Sequence, residues 1–232
     1  MRKVTVLSII LLSLGLAQAQ PLDLAAGVTI GGYNFGLSLE FNAYAQNIGG
    51  SAFGARLGFG FSFTDAFEDD NAFYGGSGAA PDASLDRISD YKDSANFDTS
   101  ESGRNFTMSL DGTFDLSEVF SMDGLPFTAS VYAGPRLNFF SGSFEVDDGI
   151  ASVSSSQFGL GFGSLAFYPL SDNLSLVGDI GADIYFDSTL NLDDDFGDLD
   201  VEPSDTAYDD YDGLINQPSL AIKVKVGVVY SF

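Results

Sequence analysis

The chain has 232 residues, of which 45% are hydrophobic, and a formal net charge of −24. It contains no cysteine, which excludes a disulfide framework, and no histidine, which removes the commonest general base and metal ligand. Nucleic-acid binding requires clustered Lys and Arg, and nine basic residues against 33 acidic ones do not supply such a cluster.

The first nineteen residues have the pattern of an export signal. Arg2 and Lys3 precede an uncharged, mainly apolar run over residues 4–17, and Ala17-Gln18-Ala19 is a small-x-small cleavage motif. The apolar run is shorter than the roughly 20 residues that a transmembrane helix needs. The sequence therefore predicts a signal peptide over residues 1–19 and one mature domain over residues 20–232.

Alternation of apolar residues with small or polar residues predicts eight β-strands in the mature chain. The predicted strands cover residues 22–30, 35–43, 53–63, 106–116, 127–139, 158–168, 174–186 and 220–232. No position on their apolar faces carries a charge. The opposite faces are rich in Gly, Ser, Thr and Asn, although Leu165 and Phe167 interrupt the polar face of the sixth strand.

The sizes of the two faces determine which one points inward. A soluble barrel of the lipocalin type also alternates, with its apolar face around a ligand cavity. The interior of an eight-stranded barrel is just wide enough for side chains, so it cannot hold dozens of Phe, Leu and Val residues. An apolar exterior of this size fits only lipid. The sequence therefore predicts an all-β fold, a transmembrane antiparallel up-and-down β-barrel of eight strands, or of ten if part of residues 65–103 pairs as a hairpin.

The connections between the predicted strands alternate in length. With the N-terminus on the periplasmic side, the periplasmic turns are short, whereas three external connections over residues 65–103, 141–152 and 187–217 are long and acidic. The densest acidic run contains five carboxylates that could bind a hard cation such as calcium. They are Asp193, Asp194, Asp195, Asp198 and Asp200. Their spacing does not match a calcium-binding loop, and a solvated, partly disordered acidic loop is the alternative.

The last strand carries the clearest family resemblance. Val224, Val226, Val228, Tyr230 and Phe232 alternate along one face and end in an aromatic residue. This pattern resembles the C-terminal β-signal of small bacterial outer-membrane barrels, and the mature chain is similar to the OmpA-like, OmpX-like and OmpW-like class. The resemblance implies localisation in the outer membrane, contact with its lipid, and recognition by the barrel-assembly machinery.

Charges on the inward faces of the predicted strands nearly balance. They are Glu40, Asp111, Asp115, Asp179 and Asp183 on the acidic side and Arg56, Arg136, Lys223 and Lys225 on the basic side. Because a buried charge is costly unless it is paired, we expect ion pairs that fill and rigidify the lumen. A narrow channel lined by charged rings is the alternative.

Aromatic residues near the strand ends are predicted to form the interfacial girdles of the barrel. They are Tyr33, Phe35, Phe63, Phe106, Phe127, Tyr168, Phe186 and Tyr230.

The sequence does not suggest a catalytic centre or a cofactor. Outer-membrane barrels that act as lipases or proteases use a histidine, as the family resemblance implies, and the chain has none. We therefore expect a non-enzymatic integral outer-membrane protein that supports the envelope and displays acidic loops. The alternatives are a narrow porin-like channel for small or cationic solutes, and adhesion or divalent-cation binding through the loops.

Overall fold

The computed structural model describes residues 23–34, 36–67, 99–120, 124–146, 149–194, 197–213 and 215–232. The predicted signal peptide, Phe35, Asp195 and most of the acidic connection over residues 65–103 lie outside this part of the chain. None of the helices in the described ranges is long and apolar enough to cross a membrane.

The described residues form ten β-strands and two short α-helices. The strands are β1 (Asp23–Tyr33), β2 (Gly36–Gln46), β3 (Phe53–Thr64), β4 (Thr99–Asp115), β5 (Thr128–Val146), β6 (Gly149–Pro169), β7 (Leu174–Tyr185), β8 (Leu190–Asp194), β9 (Gly197–Val201) and β10 (Leu220–Ser231). The helices are α1 (Leu116–Val119), after β4, and α2 (Tyr208–Asp212), after β9.

Eight of these strands close into an antiparallel barrel. Each of β1 to β6 pairs with the next strand, β7 pairs with β10, and β10 pairs with β1 to close the ring. Val28, for example, lies opposite Phe41 of β2 on one side and Val228 of β10 on the other. The predicted eight-strand antiparallel barrel is confirmed.

Each barrel strand turns its bulky apolar face outward and its face of small and polar residues toward the lumen. In β2, Leu37 and Phe41 are exposed, whereas Ser38 and Glu40 are buried in the lumen. The same alternation produces a continuous outer belt of exposed Phe, Leu, Ile and Val around the barrel. An apolar belt of this extent is stable only in a lipid environment, so the strands span a membrane.

Three strands are longer than the membrane requires. β4, β5 and β6 have 17, 19 and 21 residues, whereas a membrane crossing takes roughly 9–11. Their outer ends continue beyond the barrel, and the β8–β9 hairpin adds to the edge of β6 with Leu190 opposite Ser155. These two extra strands therefore lie within residues 187–217, whereas residues 68–98, on which the ten-strand alternative depends, lie outside the described residues. β8 and β9 extend the wall into a five-stranded sheet, here called the projecting sheet, and leave the barrel at eight strands.

Two sequence-based predictions need correction. The described part of residues 187–217 forms β8, β9 and α2 with Leu190 and Val201 buried, so it is not an irregular loop, although its carboxylates Asp193 and Asp200 are exposed to solvent. Tyr33 does not belong to an interfacial girdle. β1 continues past Ile30 with odd-numbered residues facing inward, so Tyr33 is buried and its hydroxyl lies 2.5 Å from that of Tyr185.

Candidate functional site

The middle of the lumen is filled by charged side chains in equal numbers of each sign. They are Glu40, Asp111, Asp179 and Asp183 against Arg56, Arg136, Lys223 and Lys225, here called the lumen network, and each is at most 5% exposed. The strand period of two places all of them on inward faces, on β2, β3, β4, β5, β7 and β10. Equal numbers allow every buried charge to have a partner, which is the condition for burying it.

Arg56 connects opposite walls of the barrel. From β3 its Nη2 lies 2.8 Å from Asp111 Oδ2 on the neighbouring strand, and its Nη1 lies 2.8 Å from Asp179 Oδ2 on β7. The Tyr132 hydroxyl donates a 2.7 Å hydrogen bond to Asp179 Oδ1, and the Arg56 guanidinium stacks 3.9 Å above the Tyr132 ring. The guanidinium is thus bound on two edges and one face, which fixes it in the centre of the lumen.

Arg136 extends this chain of ion pairs. Its Nη1 lies 2.6 Å from Asp111 Oδ1, so Asp111 bridges the two arginines, and its Nε lies 2.8 Å from Asp183 Oδ1. Lys223 Nζ adds a 3.1 Å contact to Asp183. On the other side of the lumen, Lys225 Nζ donates a 2.5 Å hydrogen bond to Glu40 Oε2.

Inward glycines provide the space that this network occupies. A Cβ atom at Gly161 would collide with the side chains of Arg136 and Asp183, and one at Gly163 or Gly181 would collide with the Tyr132 hydroxyl. The small residues of β6 and β7 therefore match the large residues that reach across from β5.

Asp115, which the sequence places in the lumen charge set, lies elsewhere. It is half-buried at the periplasmic end of β4 and caps α1, where its carboxylate accepts a 2.7 Å hydrogen bond from the Ser117 backbone. Its role there is to satisfy an amide at the start of a helix.

Below the network, apolar side chains close the periplasmic end of the lumen. The buried cluster consists of Ala25, Tyr44, Tyr132, Leu165, Phe167, Val177 and Val229, here called the periplasmic cluster. Tyr44 and Phe167 meet edge to face with ring centroids 5.7 Å apart. Sequence reasoning missed this cluster, although the interruption of the polar face at Leu165 and Phe167 was its signal.

Above the network, amide side chains connect the walls. Asn138 Nδ2 donates to Asn105 Oδ1 at 3.2 Å and to Gln157 Oε1 at 3.0 Å, and all three residues are buried. Gln157 Nε2 in turn donates a 3.1 Å hydrogen bond to the backbone carbonyl of Pro218, in the segment before β10.

That segment covers the outer mouth of the barrel, and its described residues, 202–213 and 215–219, are here called the lid. Asn216 binds the chain after β3, donating from its backbone to Ala66 at 2.9 Å and from Nδ2 to Phe67 at 2.7 Å. Asn34, in the turn after β1, donates a 3.2 Å hydrogen bond to the Asn216 carbonyl. Ser155 of β6 donates to the side chain of Gln217 at 2.6 Å. The lid is therefore fastened on three sides of the mouth.

The underside of the lid is apolar. Tyr208 and Ile215 pack into a buried cluster with four residues of the projecting sheet, which are Phe140, Val153, Leu190 and Val201. The Tyr208 hydroxyl accepts a 3.2 Å hydrogen bond from the Ser188 backbone amide and donates a 3.0 Å one to the Ser188 carbonyl. Burial raises the pKa of Tyr208, which keeps this hydroxyl protonated as a donor.

The predicted cation ligands lie at the tip of the β8–β9 hairpin. In backbone register Asp193 faces Asp198, Asp194 faces Gly197, and Asp200 faces Asn191, while Asp195 lies outside the described residues. Within the described ranges, no three carboxylates lie close enough to share an ion.

The residues of the predicted β-signal lie on the lipid face of the closing strand. Val224, Val226, Val228 and Tyr230 are exposed, and Phe232 follows the end of β10 with its backbone amide bound to Leu24 at 3.0 Å.

The chain is similar to several solved structures. The chain is similar to a major outer membrane protein from Thermus thermophilus, with 34% identity over 92% of this chain and 100% of that chain and a TM-score of 0.76. It is more distantly similar to CarO2 of Acinetobacter baumannii, with 12% identity over 92% of this chain and 100% of that chain and a TM-score of 0.45. Neisserial surface protein A gives 10% identity over 91% and 96% of the two chains and a TM-score of 0.41. No family model matches the chain, and neither does any curated protein.

Proposed function

This chain belongs to the family of the Thermus thermophilus major outer membrane protein and is an integral outer-membrane β-barrel, and on that premise we propose a non-enzymatic structural role in the envelope. The relative is described as a major protein of its outer membrane. A barrel whose lumen holds buried ion pairs and an apolar cluster, and which presents an acidic surface outside, suits such a role.

The closed lumen is the observation that supports this proposal most directly. An ion crossing the barrel would meet the lid, then the lumen network, then the periplasmic cluster. At the central level the Arg56–Asp179 pair joins β3 to β7 across the full width of the lumen. Opening a path would require separating buried charges from their partners, which costs several kcal/mol each.

The lumen carboxylates also support a non-catalytic role. Glu40, Asp111, Asp179 and Asp183 each lie within 3.1 Å of a Lys or Arg nitrogen. A general acid or base needs access to substrate, whereas these groups are buried and engaged in ion pairs.

Planar-bilayer recording of the refolded full-length protein tests the proposal. We expect no discrete conductance steps at any voltage that the bilayer tolerates, because an ion would have to pass the lid, the lumen network and the periplasmic cluster in turn. Discrete steps with cation preference would instead establish the narrow porin-like channel. The lipid-face variant Val226→Ala serves as the control and should show the same absence of steps as the wild type, because the side chain that it shortens lies outside the lumen.

A cell-based measurement tests the structural role itself. Removing the protein from its host should increase detergent sensitivity and leakage of periplasmic proteins without slowing the uptake of small solutes. Slower uptake through an otherwise intact envelope would contradict the proposal and favour a transport function.

We also propose that the barrel-assembly machinery recognises the alternating face of β10 during insertion. The position of Val226, Val228 and Tyr230 on the exposed face of the strand that closes the barrel supports this proposal.

A further inference from the structure

A notch indents the outer wall where β6 changes its partner. β7 pairs with β6 only as far as Tyr185 opposite Gly159, and β8 begins with Leu190 opposite Ser155. Between these two points the chain bends away from β6 and leaves a cavity of about 680 Å³. Six of the residues that line this cavity are here called the outer notch. They are Phe139, Ser154, Ser156, Asp187, Thr189 and Asn191.

The notch lies directly above the lipid-facing belt. On the same outward faces of β5 and β6, Leu137, Phe158 and Leu160 below the notch are exposed and apolar. Ring pairs continue this belt on both sides, with Phe106 and Phe139 stacked at 6.0 Å and Phe158 and Phe186 stacked at 6.0 Å. Aromatic rings of this kind mark the level at which acyl chains give way to headgroups.

Above the belt the outward faces become polar at once. Ser154 and Ser156 are exposed on β6, Thr189 is exposed just before β8, and Asn191 is exposed within β8. The surface is therefore continuous with the lipid interface, and in a membrane its neighbour is the headgroup layer of the outer leaflet.

The side chains of the outer notch favour some lipid headgroups over others. Hydroxyl and amide groups both donate and accept hydrogen bonds, which suits the hydroxyls of a sugar. Among the described residues, no Lys or Arg lines the notch, and the exposed Asp187 repels anions, so a headgroup recognised through phosphate alone is disfavoured. Phe139 supplies an apolar floor on which the non-polar face of a sugar ring can lie.

The projecting sheet extends the same surface outward from the membrane. Neighbouring strands place Ser141, Ser154, Asn191 and Asp200 in one cross-strand row. A second row contains Ser143, Ser152 and Asp193. Strands lie about 4.8 Å apart, so the rows present regularly spaced hydrogen-bonding groups to any further sugar units above the notch.

We propose that the outer notch binds the sugar headgroup of an outer-leaflet glycolipid whose acyl chains lie against Phe158 and Leu160 below it. This inference goes beyond the structural role proposed above and depends only on the outer-membrane location of the barrel. The structural role does not require a lipid preference. A negative result for glycolipid binding would therefore leave the structural role intact.

Lipid retention tests the proposal. The full-length protein is refolded in a detergent without a sugar headgroup and placed in nanodiscs with equal amounts of a diglycosyl diacylglycerol and phosphatidylglycerol. After extraction, bound lipid is counted by native mass spectrometry. We expect the protein to retain the glycolipid in preference, and the double variant Ser156→Leu with Asn191→Leu to retain about tenfold less, as the loss of one or two hydrogen bonds implies.

The matched control is Ser100→Leu, an exposed serine on β4 of the same sheet that lies outside the notch and outside both cross-strand rows. Circular dichroism and heat-modified gel mobility verify that each variant folds, and Thr189→Val provides a milder alternative if the double variant does not. Equal retention of both lipids, or an equal loss with Ser100→Leu, would overturn the proposal. Competition by the free disaccharide as strong as that by the glycolipid would also overturn it, because the notch would then bind a soluble glycan.

Discussion

In the lumen, four carboxylates lie within 3.1 Å of Lys or Arg nitrogens, whereas residues 187–219 outside contain a dense set of carboxylates and no basic residue. The environments account for the contrast. In the enclosed lumen an unpaired charge loses its hydration without compensation. On the hairpin Asp193 and Asp200 are exposed, so water and salt screen them from one another. The carboxylates in the lumen therefore require ion pairs, whereas those on the hairpin do not.

The largest effect is expected from breaking the lumen network. Arg136→Met leaves Asp111 and Asp183 without one of their partners, and we expect the free energy of unfolding to fall by about 3–5 kcal/mol. Urea titration of the refolded protein in lipid vesicles measures this change. Arg104→Met, which removes an exposed arginine on β4, is the control and should cost less than about 0.5 kcal/mol. Equal stability of the two variants would show that the network contributes little.

An intermediate effect is expected at the lid. Tyr208→Phe removes the hydroxyl that binds both backbone groups of Ser188, and the lid should open more readily by about 1 kcal/mol, or about fivefold. Limited proteolysis of the refolded protein in nanodiscs measures opening as the rate of cleavage within residues 202–219. Tyr230→Phe, at the opposite end of the barrel, should leave this rate unchanged.

The same tyrosine predicts a pH dependence. Because the pKa of Tyr208 is raised in the folded state, its contribution is complete below its ordinary pKa of about 10 and is lost as pH rises through the raised value. Cleavage of the wild-type lid by an alkaline protease should therefore accelerate at high pH, after correction for the protease's own profile. Tyr208→Phe should lack this step, and a step of equal size in the variant would contradict the assignment.

The smallest change in stability is expected from the exposed carboxylates of the β8–β9 hairpin. Asp193→Asn with Asp200→Asn should change stability by less than about 0.5 kcal/mol, with any gain confined to low ionic strength, because exposed like charges repel weakly and are screened by salt. Thermal unfolding at two salt concentrations measures it. The contrasting variant is Asp183→Asn, which alters a buried carboxylate that binds Arg136 and Lys223. A large loss from the surface pair would mean that these carboxylates are not simply solvated.

Alternation along the chain was sufficient to predict the barrel and most of the inward charges, because a strand has a fixed period and one face must meet lipid. It could not reveal what several strands build together. Val177 and Phe167 are isolated apolar residues on polar faces, and only the closed ring brings them into one cluster. The tip of the β8–β9 hairpin is rich in Asp, which disfavours strands. Packing of Leu190 and Val201 beneath the lid outweighs that preference.

The unbroken pairing of β5 with β6 has a mechanical consequence. The two strands are in register from Thr128 opposite Phe167, inside the membrane, to Val146 opposite Gly149, at the outer tip. Bending the sheet away from the barrel would strain many of these hydrogen bonds together, because the ladder between the two strands has no break from the barrel to the tip. The projecting sheet is therefore a stiff post rather than a flexible tether, and it transmits force applied outside the cell directly to the barrel wall.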